Sequence, residues 1–179
     1  MILVFDTETT GLTLHPDAPL AKQPQMIEFG AVLLSRETGE VVEEYNSLVN
    51  PGVSLPPEIT RITGLRDEDL VGAPSFEGIM PEVFRLFEKS TCLMAHNLPF
   101  DIAILRGELA RYNVINWPWP DYELCTVGVY RDIWGRNPRL LELYEHVLGR
   151  PLAQTHRALD DVLALVEIIQ KENLWRLVE

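Results

Sequence analysis

Two carboxylates near the start of the chain, Asp6 and Glu8, are separated by a single residue. They follow Ile2-Leu3-Val4-Phe5, a wholly apolar run of the kind that forms a buried central strand. Successive strand side chains point to opposite faces, so Asp6 and Glu8 share one face. Like charges held that close raise each other's pKa and cost stability. A divalent cation removes the penalty, and hard oxygen ligands suit magnesium or manganese. Gly11, just beyond, offers a turn where backbone can approach a ligand closely. Taken alone, the pair is equally a solvated strand end that carries two acids by chance.

Two further segments repeat the theme. In Ala95-His96-Asn97-Leu98-Pro99-Phe100-Asp101, polar side chains follow a short apolar run, and Pro99 marks a helix start. Asp101 falls in the first helical turn, where the helix dipole favours a negative charge. Phe100 offers an aromatic face on which a base could stack. The last helical segment begins His156-Arg157-Ala158-Leu159-Asp160-Asp161. Helical spacing puts Asp161 on the stripe of Leu165 and Ile168, and Asp160 on that of Ala164, Glu167 and Lys171. Asp161 therefore points inward and needs a partner, which a metal shared with Asp6 would supply. His156 stands five residues ahead of Asp161. It is either a helix-entry residue or, as a neutral imidazole, a base that can deprotonate a water.

These residues need a scaffold. Residues 2–6, 26–35 and 41–49 read as strands, with a turn at Glu37-Thr38-Gly39-Glu40 joining the last two into a hairpin. The polar, proline-bearing stretch 11–24 reads as an exposed loop, and short helical pieces begin at Glu58. Ser75 caps a helix over 76–89; Cys92-Leu93-Met94-Ala95 is a buried strand; Ile102, Leu105 and Leu109 stripe the next helix. A short strand at Glu123–Thr126 precedes helices near 127–134, 139–148 and 157–173. This order predicts an α/β fold, a mixed five-stranded sheet flanked by helices in a single domain over 1–179. Ligands in such folds gather at strand C-terminal ends.

The 179 residues are 46% hydrophobic and 23% charged, ordinary values for a globular domain with a sizeable core. No run is long enough to span a bilayer and no signal peptide is evident, so membrane attachment is not expected. Cys92 and Cys125 read as small core residues in a reducing compartment, which predicts a cytoplasmic protein. The net charge of −12 argues against gripping long duplex DNA by bulk electrostatics, but not against holding a short end through metal ions. Arg131, Arg136, Arg139, Arg150 and Arg157 stand against few acids in one stretch, which either faces phosphate or lies on a solvated surface.

The constellation of Asp6-x-Glu8, Asp101 and His156 five residues before Asp161 resembles the DEDDh family of 3′–5′ exonucleases. The flanking text matches as well: Phe5 through Leu12, Ile27-Glu28-Phe29-Gly30-Ala31-Val32, Ala95-His96-Asn97 with Phe100-Asp101, and Thr63-Gly64-Leu65. The resemblance runs from residue 2 to about 170 and is closest in pattern to the proofreading epsilon subunits of bacterial DNA polymerase III. It implies a ribonuclease H-like fold and two magnesium or manganese ions held by Asp6, Glu8, Asp101 and Asp161, with His156 as general base. In the two-metal scheme one ion supports the attacking water and the other the leaving 3′ oxygen. Thr10, Gly11 and Leu12 would line the terminal nucleotide, with His96, Asn97 and Phe100 on its other side. The implied activity is release of nucleoside 5′-monophosphates from 3′ ends of DNA, single-stranded or frayed, with a DNA polymerase as a partner. The alternatives are trimming of short RNA ends and a catalytically silent binding module of the same fold.

Overall fold

The computed structural model describes residues 1–153 and 155–177. Five strands form one sheet: β1 (Ile2–Thr9), β2 (Met26–Leu34), β3 (Val41–Leu48), β4 (Cys92–Ala95) and β5 (Tyr122–Cys125). Their order across the sheet is β3-β2-β1-β4-β5. The first three strands pair antiparallel, whereas β4 runs parallel to β1 and β5 parallel to β4. The sheet is therefore mixed, and β1 is its centre. Seven α-helices occur among the described residues: α1 (Pro57–Thr63), α2 (Asp67–Leu70), α3 (Phe76–Lys89), α4 (Leu98–Arg111), α5 (Thr126–Trp134), α6 (Leu140–Leu148) and α7 (Ala158–Lys171). None is long and apolar enough to cross a membrane.

Both faces of the sheet are covered, which is why Met26–Leu34 is buried throughout instead of alternating. Leu3, Phe5, Phe29 and Leu33 face α3 and α4, where Phe76, Val83, Leu86, Phe87 and Leu105 complete one core. Phe5 lies 5.9 Å from Phe29 and 5.6 Å from Phe87, ring centre to ring centre. Ile2, Val4, Val32 and Leu34 face the other way, against Leu143 of α6 and Val162, Leu165 and Ile169 of α7. Even-numbered residues of β1 thus look towards α7 and odd-numbered ones towards α4.

Three departures from the sequence reading bear on the site. Strand β1 does not stop at Asp6 but runs through the acidic motif to Thr9, because β2 pairs with it as far as Met26. Ser75 stands at the N-cap of α3, yet its side chain makes no capping hydrogen bond; its carbonyl accepts from Gly78 and Ile79 instead. The loop after β1 contains one 3-10 turn, Leu20–Lys22, and is tied down from α4. Arg111 donates to the carbonyls of Leu20, Gln23 and Pro24 at 3.2, 2.9 and 3.1 Å. Both cysteines are free, as expected for residues chosen for packing.

Candidate active site

The parallel partner of β1 ends early. Pairing with β4 stops at Val4–Met94, while β1 continues five residues further along β2. Beyond that point the N–H of Thr7 faces the first turn of α4 in place of another strand. Asp101 takes it, accepting the Thr7 N–H at 3.0 Å and the Thr7 hydroxyl at 2.8 Å. Asp101 is 1% exposed, so these two bonds satisfy a carboxyl that water does not reach.

On the opposite face of β1, Asp6 and Glu8 meet Asp161 from α7. One carboxylate oxygen from each lies within 4.8 Å of the others. Asp161 is 8% exposed while Asp160 is open to solvent and accepts the Thr155 hydroxyl at 2.6 Å. The helical stripe thus separated the neighbouring aspartates in the right sense. Burial pushes the Asp6 carboxyl well above the usual range, helped by Asp101, Glu8, Asp161 and Glu28 in turn. Glu8 is pushed up to about 8, again by burial first, then by Asp161, Glu28 and Asp101, with Arg157 opposing. Asp101 rises to about 7 through burial, against its two Thr7 hydrogen bonds. Carboxyls crowded and dried to this degree fit a divalent cation: their oxygens are hard donors, and a cation cancels the repulsion.

A single exonuclease family model matches residues 3–169. The DNA polymerase III epsilon subunit of Treponema pallidum is 31% identical over 92% of this chain and 72% of its own length. A PolC-type DNA polymerase III of Clostridium perfringens is 31% identical over 94% of this chain but only 11% of that polymerase. The chain belongs to the DEDDh family of 3′–5′ exonucleases. The nuclease domain of 3′hExo, a DEDDh family member bound to rAMP, superposes with a TM-score of 0.75 over 99% of this chain and 95% of that one, at 20% identity. Exonuclease X in complex with 5′ overhanging duplex DNA gives a TM-score of 0.66 over 97% and 93%, at 23% identity. These two likenesses are of fold, the ribonuclease H-like fold expected. The chain spans a quarter or less of the length of the first curated relatives it matches.

Around these carboxylates the other expected residues are distributed unevenly. Leu12 is 82% exposed and lies with Thr10, Gly11, Ile59, Ile62 and Phe100 around a cavity of about 390 Å³, a size suited to a small ligand. The Thr10 hydroxyl accepts the Gln25 N–H at 2.9 Å. Gly11 does not have a positive φ, and a Cβ there would meet nothing within 4 Å. What Gly11 contributes is open space, not a special turn. His96 and Asn97 do not join that cavity. They line a second one with Asp6 and Asp161, and both His96 ring nitrogens have partners within the protein. His156 is exposed, with a left-handed backbone at φ 52°, outside the trio of Asp6, Glu8 and Asp161.

Sequence reasoning assigned no role to the residues that seat α7. Glu28 pairs across from Glu8 on β2 and is fully buried. Its carboxylate accepts from Arg157 Nε at 2.9 Å and Nη2 at 2.8 Å, from the Ala158 N–H at 3.2 Å and from Asn46 Nδ2 at 3.1 Å. Next along the face, Gly30 pairs with Asp6, and a Cβ on it would stand 2.4 Å from the Leu159 nitrogen. Glu28 binds the helix entry and Gly30 lets its backbone touch the sheet, which brings Asp161 over Asp6. The signal was available: Glu28 and Gly30 are a charge and a gap inside an otherwise apolar strand.

Proposed function

We propose that this exonuclease hydrolyses the last phosphodiester bond at 3′ ends of DNA and releases nucleoside 5′-monophosphates. The observation that carries the reading is the convergence of Asp6, Glu8 and Asp161 within 4.8 Å on one face of β1, with Asp101 buried at its edge. That donor set fits two magnesium or manganese ions, with all four carboxylates as ligands. Bound there, the ions would offset the negative charge of the phosphate and favour ionisation of water and of the leaving 3′ oxygen. The chain itself orients the substrate. Leu12, Phe100, Thr10 and Gly11 line the cavity beside Glu8 that would take the terminal base. His156, at the entry to α7, accepts the proton of the attacking water.

DNA is favoured over RNA because curated relatives at 31% identity are named as a PolC-type DNA polymerase III and a DNA polymerase III epsilon subunit, and a polymerase is the partner this reading supports. The net charge of −12 and the exposed Leu12 favour an unpaired end, since a duplex brings more phosphate charge and buries its bases. The test is digestion of 3′-labelled and 5′-labelled DNA and RNA oligonucleotides with magnesium, manganese or EDTA. Mononucleotides should leave from the 3′ end of DNA, faster from single strands, and only with metal. Activity in EDTA, or degradation from the 5′ end, would overturn the reading; faster turnover of RNA would reassign the substrate.

A further inference from the structure

A second cavity, of about 360 Å³, adjoins the carboxylates and shares no lining residue with the cavity of Leu12 and Phe100. Asp6 and Asp161 line it together with Asn97, Asn137 and Arg139. The turn that carries Arg139 is fixed. His96 Nε2 lies 3.1 Å from the Pro138 carbonyl and Nδ1 lies 2.9 Å from the Thr126 hydroxyl. A nitrogen facing a carbonyl must carry a proton, so Nε2 donates to Pro138. The Arg139 N–H in turn donates to Glu142 at 2.9 Å. The end of β4 and the start of α6 thereby hold one short segment between them.

The structure also sorts the arginine-rich stretch. Arg136 pairs with Glu142, Arg150 with Glu167, and Arg157 with Glu28. Arg131 and Arg139 are exposed, and neither forms an ion pair among the described residues. Of these two, Arg139 alone lines the cavity of Asp6 and Asp161. Any phosphate entering there meets a site of like charge, in a chain of net charge −12. After Arg136, Arg139 helps to hold down the Glu142 carboxyl but forms no ion pair with it, and a planar guanidinium is the group suited to a phosphate's oxygens.

We infer that Arg139 binds a phosphate of the substrate strand in this second cavity, apart from the base cavity. Arg139 then makes the enzyme favour a polynucleotide over a mononucleotide diester. This rests on the exonuclease reading above.

Two measurements separate the claims. The first is fluorescence anisotropy of a labelled oligothymidylate in calcium across a range of salt. Arg139→Ala should weaken binding about tenfold. It should also make the slope of log affinity against log salt shallower by about 0.7, the value of one phosphate contact on a single strand. Arg139→Lys should keep the slope, and Arg131→Ala should match wild type in both. The second is hydrolysis, in manganese, of that oligonucleotide and of the p-nitrophenyl ester of thymidine 5′-monophosphate. Arg139→Ala should raise KM for the strand by a clearly larger factor than it changes turnover of the ester. A wild-type slope in Arg139→Ala, or equal loss on strand and ester, overturns the inference. A wild-type enzyme that binds the strand but cuts neither substrate overturns the exonuclease reading, while the slope still decides Arg139. Failure of the wild type to bind the strand overturns both.

Discussion

Asp160 and Asp161 are adjacent, identical in chemistry and opposite in environment, so a pair of substitutions tests the site with an internal control. Asp161→Asn removes one of the converging carboxylates and should lower turnover by more than about 10²-fold, since even outer-shell partners of metal ligands cost 10–100-fold. It also removes a like charge from a buried cluster, so the metal-free variant should melt higher than wild type. Asp160→Asn loses the exposed Thr155 hydroxyl contact and a negative charge near Arg157, both at the surface, and should be mild in both assays. A reversed ranking in steady-state turnover would show that Asp161 is not the working acid. His156 asks a different question, because its backbone sits at φ 52°, where an alanine is strained and a glycine is not. If the ring accepts a proton in the reaction, His156→Ala and His156→Gly should both lose about 10²–10⁴-fold in kcat. Both should bind manganese as wild type does. A glycine variant with near wild-type kcat, where chemistry limits turnover, would reduce His156 to a backbone position.

At the scale of the element, the site depends on how α7 is seated. Arg157→Ala strips Glu28 of its two guanidinium bonds and leaves a fully buried carboxylate beside Glu8. Removing one partner of a fully buried pair costs about 3–5 kcal/mol, and the partial exposure of Arg157 puts this loss at the low end, about 3 kcal/mol. Glu28→Gln keeps an acceptor for the Ala158 N–H, leaves an Arg157 about one-third exposed that can turn to solvent, and relieves Glu8 of a like charge. It should cost less, about 1–2 kcal/mol, the scale of one charge-assisted hydrogen bond. Gly30→Ala has no such escape, because its Cβ would meet backbone atoms of Ala158 and Leu159; it should cost about 1–3 kcal/mol and slow turnover by displacing Asp161. Urea denaturation ranks the three, and a Glu28→Gln protein less stable than Arg157→Ala would contradict the burial argument. The contrast explains what could be read in advance. The sheet, the helices α3 to α7 and the inward turn of Asp161 were legible because each is a local period of apolar residues. The bond from Thr7 to Asp101, the grip of Glu28 on Arg157 and the tie of His96 to Pro138 join residues 94, 129 and 42 positions apart. No local period encodes such contacts, so the acids were legible and their supports were not.

For the whole molecule, the crowded carboxyls set how stability responds to pH. Glu8 titrates at about 8 in the folded protein against 4.5 for the ordinary side chain, and Asp101 at about 7 against 3.8. Between those values the folded protein holds protons that the unfolded chain has released. Stability gained from this source is therefore complete below the ordinary values and lost as pH rises through the folded ones. Glu43 runs the other way. Arg85 first, and then Lys89, hold its carboxyl at about 2 against 4.5, so its contribution is present above 4.5 and lost as pH falls towards 2. Glu43 and Arg85 are each about one-third exposed, which screens that pair and leaves the site carboxyls as the larger effect above pH 4.5. The metal-free protein should accordingly melt highest near about pH 5 and lose stability towards pH 8. Each kcal/mol lost should lower Tm by about 2–4 °C in a chain of this size. Manganese should reverse the trend at the alkaline end, where the ligands are ionised. At a concentration one hundred times Kd it adds about 2.7 kcal/mol, and at pH 5 it should add less because protons compete for the same oxygens. Thermal melts at both pH values, with and without manganese, check this directly. A metal-free Tm that rises from pH 5 to pH 8, or a manganese shift that Asp161→Asn leaves intact, would mean that these acids neither repel one another nor share an ion.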